Sequence, residues 1–179
     1  MTVPPAVIRP ATPADAPAIA RVHVTSWRET YAGLMPDEFL ERMTNDEMRQ
    51  RREMGWERTL SQRLETVRVA EQEGVVVAFA SAGPARDHPG FEAELMTLYA
   101  LKSAQGQGLG RALFGDMVRT LFGDMVRTLR ADGVRNLALW VLDTNPTRQW
   151  YLRQGGREAG EKLDGELREV RVVWEELPN

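Results

Sequence analysis

The sequence predicts an α+β domain: a mixed, mostly antiparallel central sheet of about seven strands flanked by about four helices. Three observations predict it. Read in chain order, the hydrophobic periods give a strand, two helical stretches, three strands, a helix, a strand, a helix and two strands, which is not the regular alternation of a doubly wound sheet. With 179 residues, 42% of them hydrophobic, the chain can fill one core, and residues 1–179 are read as a single domain. No cysteine is present, so neither a disulfide scaffold nor a cysteine nucleophile is expected.

The same numbers exclude several function classes. Acids and bases nearly balance at a net charge of −3, so no basic field draws the chain to nucleic acid or anionic lipid. His23 and His88 are the only histidines, and with no thiolate available a zinc centre is not expected. The N-terminus lacks the apolar core of a secretory signal, and no apolar run approaches the roughly 18 residues of a membrane span. The expectation is a cytoplasmic protein with no metal, no membrane and no nucleic acid.

Taken in order, Val7-Ile8-Arg9 reads as an opening strand. Thr12-Pro13-Ala14-Asp15 opens a helix, with a hydroxyl at the cap, proline at the first position and a carboxylate at the third. Ile19, His23, Trp27 and Tyr31 recur every four residues and form one stripe along it. A second helical stretch starts at Pro36, is restarted by a capping box at Thr44-Asn45-Asp46-Glu47, and runs to about Leu64. Its arginines Arg49, Arg51 and Arg52 read either as an anion site or as an ordinary solvated face beside Glu53 and Glu57.

Thr66 to Ala70 and Val75 to Ala80 are strand-like runs joined by a Glu73-Gly74 turn. Glu92 to Leu101 is a third strand, reached through the Gly83–Gly90 loop, which holds Asp87 and His88. A helix begins near Leu109, and Leu137 to Leu142 is a buried-looking strand. Asn145-Pro146 opens a short helix that Gly155-Gly156 ends, and Asp164-Gly165 is a type I′ turn signal between two final strands.

Leu113 to Thr120, Leu-Phe-Gly-Asp-Met-Val-Arg-Thr, recurs unchanged as Leu121 to Thr128. One such repeat is a local tandem duplication and not a solenoid. Eight residues carry a helix roughly 80° past two turns. The apolar pairs of both copies therefore cannot face one sheet, and the third helix is expected to be lengthened or bulged. The first copy is expected to keep the core position, because the glycine loop before it fixes the helix start.

That loop carries the strongest chemical signal. Leu98-Tyr99-Ala100-Leu101 leads into Gln105-Gly106-Gln107-Gly108-Leu109-Gly110-Arg111, a strand, glycine loop and helix. Small residues at a helix start let backbone N–H groups converge on a phosphate. No Gly-Lys-Ser/Thr follows, and Arg111 stands where a dinucleotide fingerprint needs its third glycine. The residues alone read as a pyrophosphate cradle or as a tight strand-to-helix turn.

Gln105-x-x-Gly108-x-Gly110 after a Leu-Tyr-Ala-Leu strand resembles the acetyl-CoA motif of the GNAT superfamily of N-acetyltransferases. Asn145 to Tyr151, ending in Gly155-Gly156, is similar to that superfamily's asparagine-to-tyrosine helix, and Ile8 to Asp15 to its opening strand and helix. The segment from Ser26-Trp27 to Leu34-Met35-Pro36 resembles a bacterial branch of it. The resemblance spans about residues 7 to 174. It departs at Gly156, where the superfamily usually has an aromatic, and at the duplication.

The resemblance implies an N-acetyltransferase moving the acetyl group from acetyl-CoA to a primary amine of a small molecule or peptide by direct attack. An acyl-CoA-binding module impaired by the duplication is the alternative, and a homodimer is compatible with the superfamily. It further implies cofactor contacts from the backbone of Leu98, Tyr99 and Ala100, from Gln105, Gly106, Gln107, Gly108, Leu109 and Gly110, and from Arg111 and Asn145. Tyr151 falls at the place of the acid for the departing thiolate; its other reading is plain core.

The residues themselves nominate Glu94 as base. By the period of two it shares a strand face with Met96, Leu98 and Ala100, and a carboxylate on an apolar face suits proton abstraction. A solvated position at the strand entrance is the other reading. Trp27, His23 and Tyr31 are candidate acceptor-pocket residues, an aromatic stripe that reads equally as core.

Overall fold

The opening strand β1 (Val7–Pro10) is pinned to two later segments of the chain by an ion network: Arg9 clamps Asp15 and Glu71, each at 2.8 Å. In this computed structural model the described residues are 6–105 and 116–179. Asp15 also accepts from the backbone N–H and the hydroxyl of Thr12, closing a capping box over a 3-10 turn, Pro13–Asp15, that leads into α1 (Ala16–Tyr31).

The second helical stretch divides into α2 (Asp37–Thr44) and α3 (Asp46–Ser61). The cap between them is Asn45, whose side chain accepts from the N–H of Met48 at 2.8 Å. Thr44, expected as the cap, instead donates its hydroxyl back to the carbonyl of Leu40. Strands β2 (Thr66–Gln72), β3 (Val75–Pro84) and β4 (Ala93–Ala100) come next. Then come α4 (Asp116–Ala131), β5 (Leu137–Leu142), α5 (Thr147–Arg153), β6 (Arg157–Asp164) and β7 (Leu167–Trp174). The α+β architecture is the one expected, with five helices because the division at Asn45 adds one to the four.

The seven strands form one sheet in the order β1-β2-β3-β4-β5-β7-β6, antiparallel throughout except between β4 and β5. Both tight hairpins use left-handed glycine. Between β2 and β3, Glu73 and Gly74 both have positive φ (50° and 79°), the type I′ pattern. Between β6 and β7 the turn residues are Gly165 and Glu166, and only Gly165 is left-handed (63°). That geometry is type II′ in place of the expected I′.

Each sheet face carries its own core. Ala78, Ala80, Ala82 and Leu95 pack with α4 and α5; Val67, Val69, Val77 and Phe79 pack with α1 and α3. The α4 contribution is Leu121, Phe122, Met125, Val126 and Leu129, a single stripe at i, i+1, i+4, i+5 and i+8. Four of these five belong to the second octapeptide. The second copy thus packs into the core; Leu113, Phe114 and Gly115 of the first lie outside the described residues, as does the helix start near Leu109, so the expectation for the first copy falls outside them too.

The glycine pair after α5 explains the departure at position 156. Gly155 is left-handed (φ 88°) and closes α5. At Gly156 a Cβ would lie 2.6 Å from Val172 Cγ1, 2.9 Å from Trp174 Cζ2 and 2.9 Å from the carbonyl oxygen of Tyr151. Trp174 already fills this space, tilted against Phe122, edge-on to Tyr151 and donating its indole N–H to the carbonyl of Gln154. Gly156→Ala is expected to cost about 1–3 kcal/mol by overpacking, a fall in Tm of several degrees in thermal melts followed by circular dichroism. An unchanged Tm would show that the β7 side chains yield freely.

Candidate functional site

The site is made by two irregularities in β4. The first is a bulge. Ser81 pairs with Thr97 and Ala82 with Leu95, so Met96 has no partner on β3. Alternation is reset there: Ala93 and Leu95 face α4 before the bulge, and Leu98 and Ala100 face it after. Glu94 therefore does not share a face with Leu98 and Ala100, as strict alternation required. It pairs with Gly83 and stands on the α1 side with Thr97 and Tyr99, where Ser81 and Thr97 hydroxyls meet at 2.7 Å.

The second irregularity is a splay. β4 and β5 pair in register only at Ala93–Leu137 and Glu94–Ala138, though the strands continue to Ala100 and Leu142. Beyond Glu94 the backbone edge of β4 that includes Leu98, Tyr99 and Ala100 has no strand partner on β5. A cavity of about 240 Å³ occupies the gap, walled by both strands and by Trp27, Tyr31, Asn145 and Tyr151.

Glu94 lies at the vertex of the splay with its side chain 15% exposed. Its Oε2 accepts from the backbone N–H of Arg86 at 3.3 Å, and its Oε1 lies 3.5 Å from His88 Nε2. His88 has a fully buried ring stacked 5.5 Å from Trp140, which is part of the cavity wall. Burial outweighs the attraction of the Glu94 carboxylate, and with Arg171 nearby it holds His88 below the usual histidine range.

Glu94 and His88 adjoin the cavity without lining it, whereas Tyr151, on its wall, is 6% exposed and packed against Phe122, Trp150 and Trp174. Burial, with a smaller contribution from Tyr99, pushes its hydroxyl far above the ordinary tyrosine range, so it stays protonated. Tyr31 is likewise raised by burial, and its hydroxyl accepts from Asn145 Nδ2 at 2.8 Å. Asn145 Oδ1 accepts from the N–H of Thr147 (2.9 Å) at the start of α5. The amide thus positions Tyr31 and the helix together, leaving one N–H toward the cavity wall it helps form.

Trp27 donates its indole N–H to the Tyr99 hydroxyl (3.0 Å), bridging α1 to β4 at the cavity wall. His23 is one layer back and does not line the cavity. It stacks on Tyr99 at 4.9 Å, receives the Trp56 indole N–H at Nδ1, and contacts the Arg52 guanidinium at Nε2. Burial and the Arg52 charge hold it well below its usual range. The arginine cluster resolves the same way: Arg49 pairs with Asp46 and Glu53, Arg51 with Glu47, and only Arg52 turns inward. Gln105 ends a short 3-10 turn after β4, and the rest of the expected cradle, Gly106, Gln107, Gly108, Leu109, Gly110 and Arg111, lies outside the described residues.

Sequence reasoning missed Thr97, Trp140, Glu169 and Arg171. One signal was available: Trp140 is the lone aromatic in an otherwise aliphatic strand, and it takes the α1 face opposite Leu139 and Val141. Among the described residues no cluster of three or more metal-ligating side chains occurs, and no helix is long and apolar enough to cross a membrane.

Comparison with known proteins matches this arrangement. The model of the Acetyltransferase (GNAT) family covers residues 24–155. The uncharacterized N-acetyltransferase YuaI of Bacillus subtilis is 32% identical over 176 residues, 95% of this chain and 93% of its own. The crystal structure of the ribosomal-protein-alanine N-acetyltransferase of Brucella melitensis is 28% identical with a TM-score of 0.65, covering 94% of this chain and 98% of that one. The PaiA N-acetyltransferase of Thermoplasma acidophilum, solved in complex with coenzyme A, shares the fold at 19% identity and a TM-score of 0.67, over 96% of this chain and 98% of that one.

Proposed function

The chain belongs to the GNAT acetyltransferase family, and from that premise we propose that it transfers the acetyl group of acetyl-CoA to a primary amine of a small molecule or peptide by direct attack. The observation that carries the reading is the splay: a cavity bordered by an unpaired β4 backbone edge with a protonated phenol on its wall, and the Glu94 carboxylate where the strands part, one residue before the wall residue Leu95. Free N–H and C=O groups on the Leu98–Ala100 edge suit an extended amide-bearing arm, which would lie there as a strand does. Asn145 would add its remaining N–H. Gln105 to Arg111 would hold the pyrophosphate.

Acetyl-CoA supplies an activated thioester. Glu94 takes the proton of the acceptor ammonium, freeing the nitrogen lone pair to form the new N–C bond. As the C–S bond breaks, the departing sulfur takes the Tyr151 hydroxyl proton, and the second proton shed by the acylated nitrogen restores the phenol. Trp27 and Tyr31 shape the wall on the acceptor side. His23 acts behind them, fixing Tyr99 and so the Trp27 bridge.

The duplication favours a second reading, an acyl-CoA-binding module whose catalysis is impaired. A calorimetric titration with acetyl-CoA, with NAD and ATP as controls, separates the readings when run on this chain and on a variant lacking residues 113–120. Saturable one-site binding of acetyl-CoA alone, followed by thiol release with amines, is the expected result. Binding without turnover on any amine would support the module. Binding by the shortened variant alone would show that the repeat displaces the cofactor.

A further inference from the structure

We propose that the acceptor amine also carries a carboxylate and that Arg171, on β7, receives it beside Glu94; the inference rests on the acetyl-transfer reading above. The cavity wall at Trp140 is ringed by cations. Lys162 Nζ lies 4.3 Å and Arg171 Cζ 4.7 Å from the indole ring, and His88 stacks on the same ring. Lys162 is met by Asp87 at 3.4 Å and Glu169 at 3.6 Å. Arg171 has no carboxylate at ion-pair distance among the described residues. Its Nη2 donates only to the backbone oxygen of Asp87, at 3.0 Å.

The hydrogen-bond inventory around this indole is short of acceptors. Arg171 Nε and Trp140 Nε1 are buried without a hydrogen-bond partner, whereas His88 Nε2 already faces Glu94 Oε1 at 3.5 Å. Both unmet groups are obligatory donors. Buried donors are rarely left unmet, and a guanidinium fork is matched by the two oxygens of a carboxylate, which only accept. An amine without an oxyanion would leave this deficit untouched.

Position supports the same ligand. Ala138 is the last β5 residue in register with Glu94, and Trp140 comes two residues later, about 7 Å along the strand. Arg171 is the cross-strand partner of Trp140. On that sheet face Glu94 reaches His88 at 3.5 Å and Arg171 stands 4.7 Å from the indole on which His88 stacks, so an amine held at the first and a carboxylate at the second fit the two ends of one short amino acid. The acidic side chains Glu94 and Glu169 receive the ammonium end, and Arg171 the other.

The test compares acceptors that differ only in the carboxylate: glycine, L-alanine and 4-aminobutyrate, each against its carboxamide, in acetyl-CoA turnover read as thiol release. Acids are expected to exceed amides at least tenfold in kcat/KM, with the ratio collapsing toward one in Arg171→Gln. Calorimetry supplies a readout independent of turnover: N-acetylglycine and 4-acetamidobutyrate should bind the protein at least tenfold tighter than their carboxamides. Equal treatment of acids and amides by the unmodified protein in both assays overturns the proposal, as does a preference that survives in Arg171→Gln. Failure of acetyl transfer itself would show separately, as carboxylate-selective product binding without thiol release.

Discussion

Replacing Tyr151 with phenylalanine is expected to lower kcat by about 10²–10⁴-fold while leaving the affinity for acetyl-CoA and the fold intact. The ring sits against Phe122, Trp150 and Trp174 at centroid distances of 5.3 to 6.3 Å, and phenylalanine retains every one of those contacts. What it loses is a hydroxyl held protonated by burial, with no hydrogen bond from a described residue to commit it elsewhere. A thiolate leaving without that proton is a poorer leaving group, so the loss falls on kcat. Thiol release under saturating acetyl-CoA, beside a calorimetric Kd, checks both parts. A kcat within threefold of the unmodified protein would make Tyr151 a packing residue and send the search for the acid elsewhere on the wall.

The order of elements was legible because periodicity reports burial one segment at a time. β5 was delimited to the residue, and Tyr31, Trp27, Asn145 and Tyr151 meet at one cavity as the motif order implied. What could not be read depends on contacts between segments. The bulge at Met96 leaves no mark in the local alternation of β4, so Glu94 was given the face of Leu98 when it stands on that of Tyr99. The correction strengthens its candidacy, since the α1 face is the one that carries Trp27. His23 shares the stripe of Trp27 and Tyr31, yet the packing of α3 places Trp56 and Arg52 over it and keeps it off the cavity. The two octapeptides are chemically identical, and only the register of α4 on the sheet shows that the second packs into the core. Nothing in the sequence marks Arg171; its lack of a carboxylate is a property of the assembled β5–β7 face.

Replacing Glu94 with glutamine is expected to lower kcat/KM for the amine by about 10²–10³-fold near neutral pH, with a characteristic recovery at high pH. An aliphatic ammonium titrates near 10, so only about one molecule in a thousand is free amine at pH 7 and a base is needed to deliver the rest. As the pH rises the acceptor loses its proton unaided. The Glu94→Gln rate should climb tenfold per pH unit while the unmodified protein levels off, and the two should converge toward pH 10. Glutamine keeps the volume of the side chain and can still accept from the Arg86 N–H, so the vertex of the splay should hold its shape. Glu92→Gln is the control: two residues earlier, its carboxylate faces Arg135 in solvent, and its removal should change kcat/KM by less than twofold. A deficit in Glu94→Gln that stays constant across pH would mean the carboxylate orients the acceptor and takes no proton. No deficit at all would leave Glu94 a solvated residue at the strand entrance, with the base to be sought among Glu169 and the groups that face it.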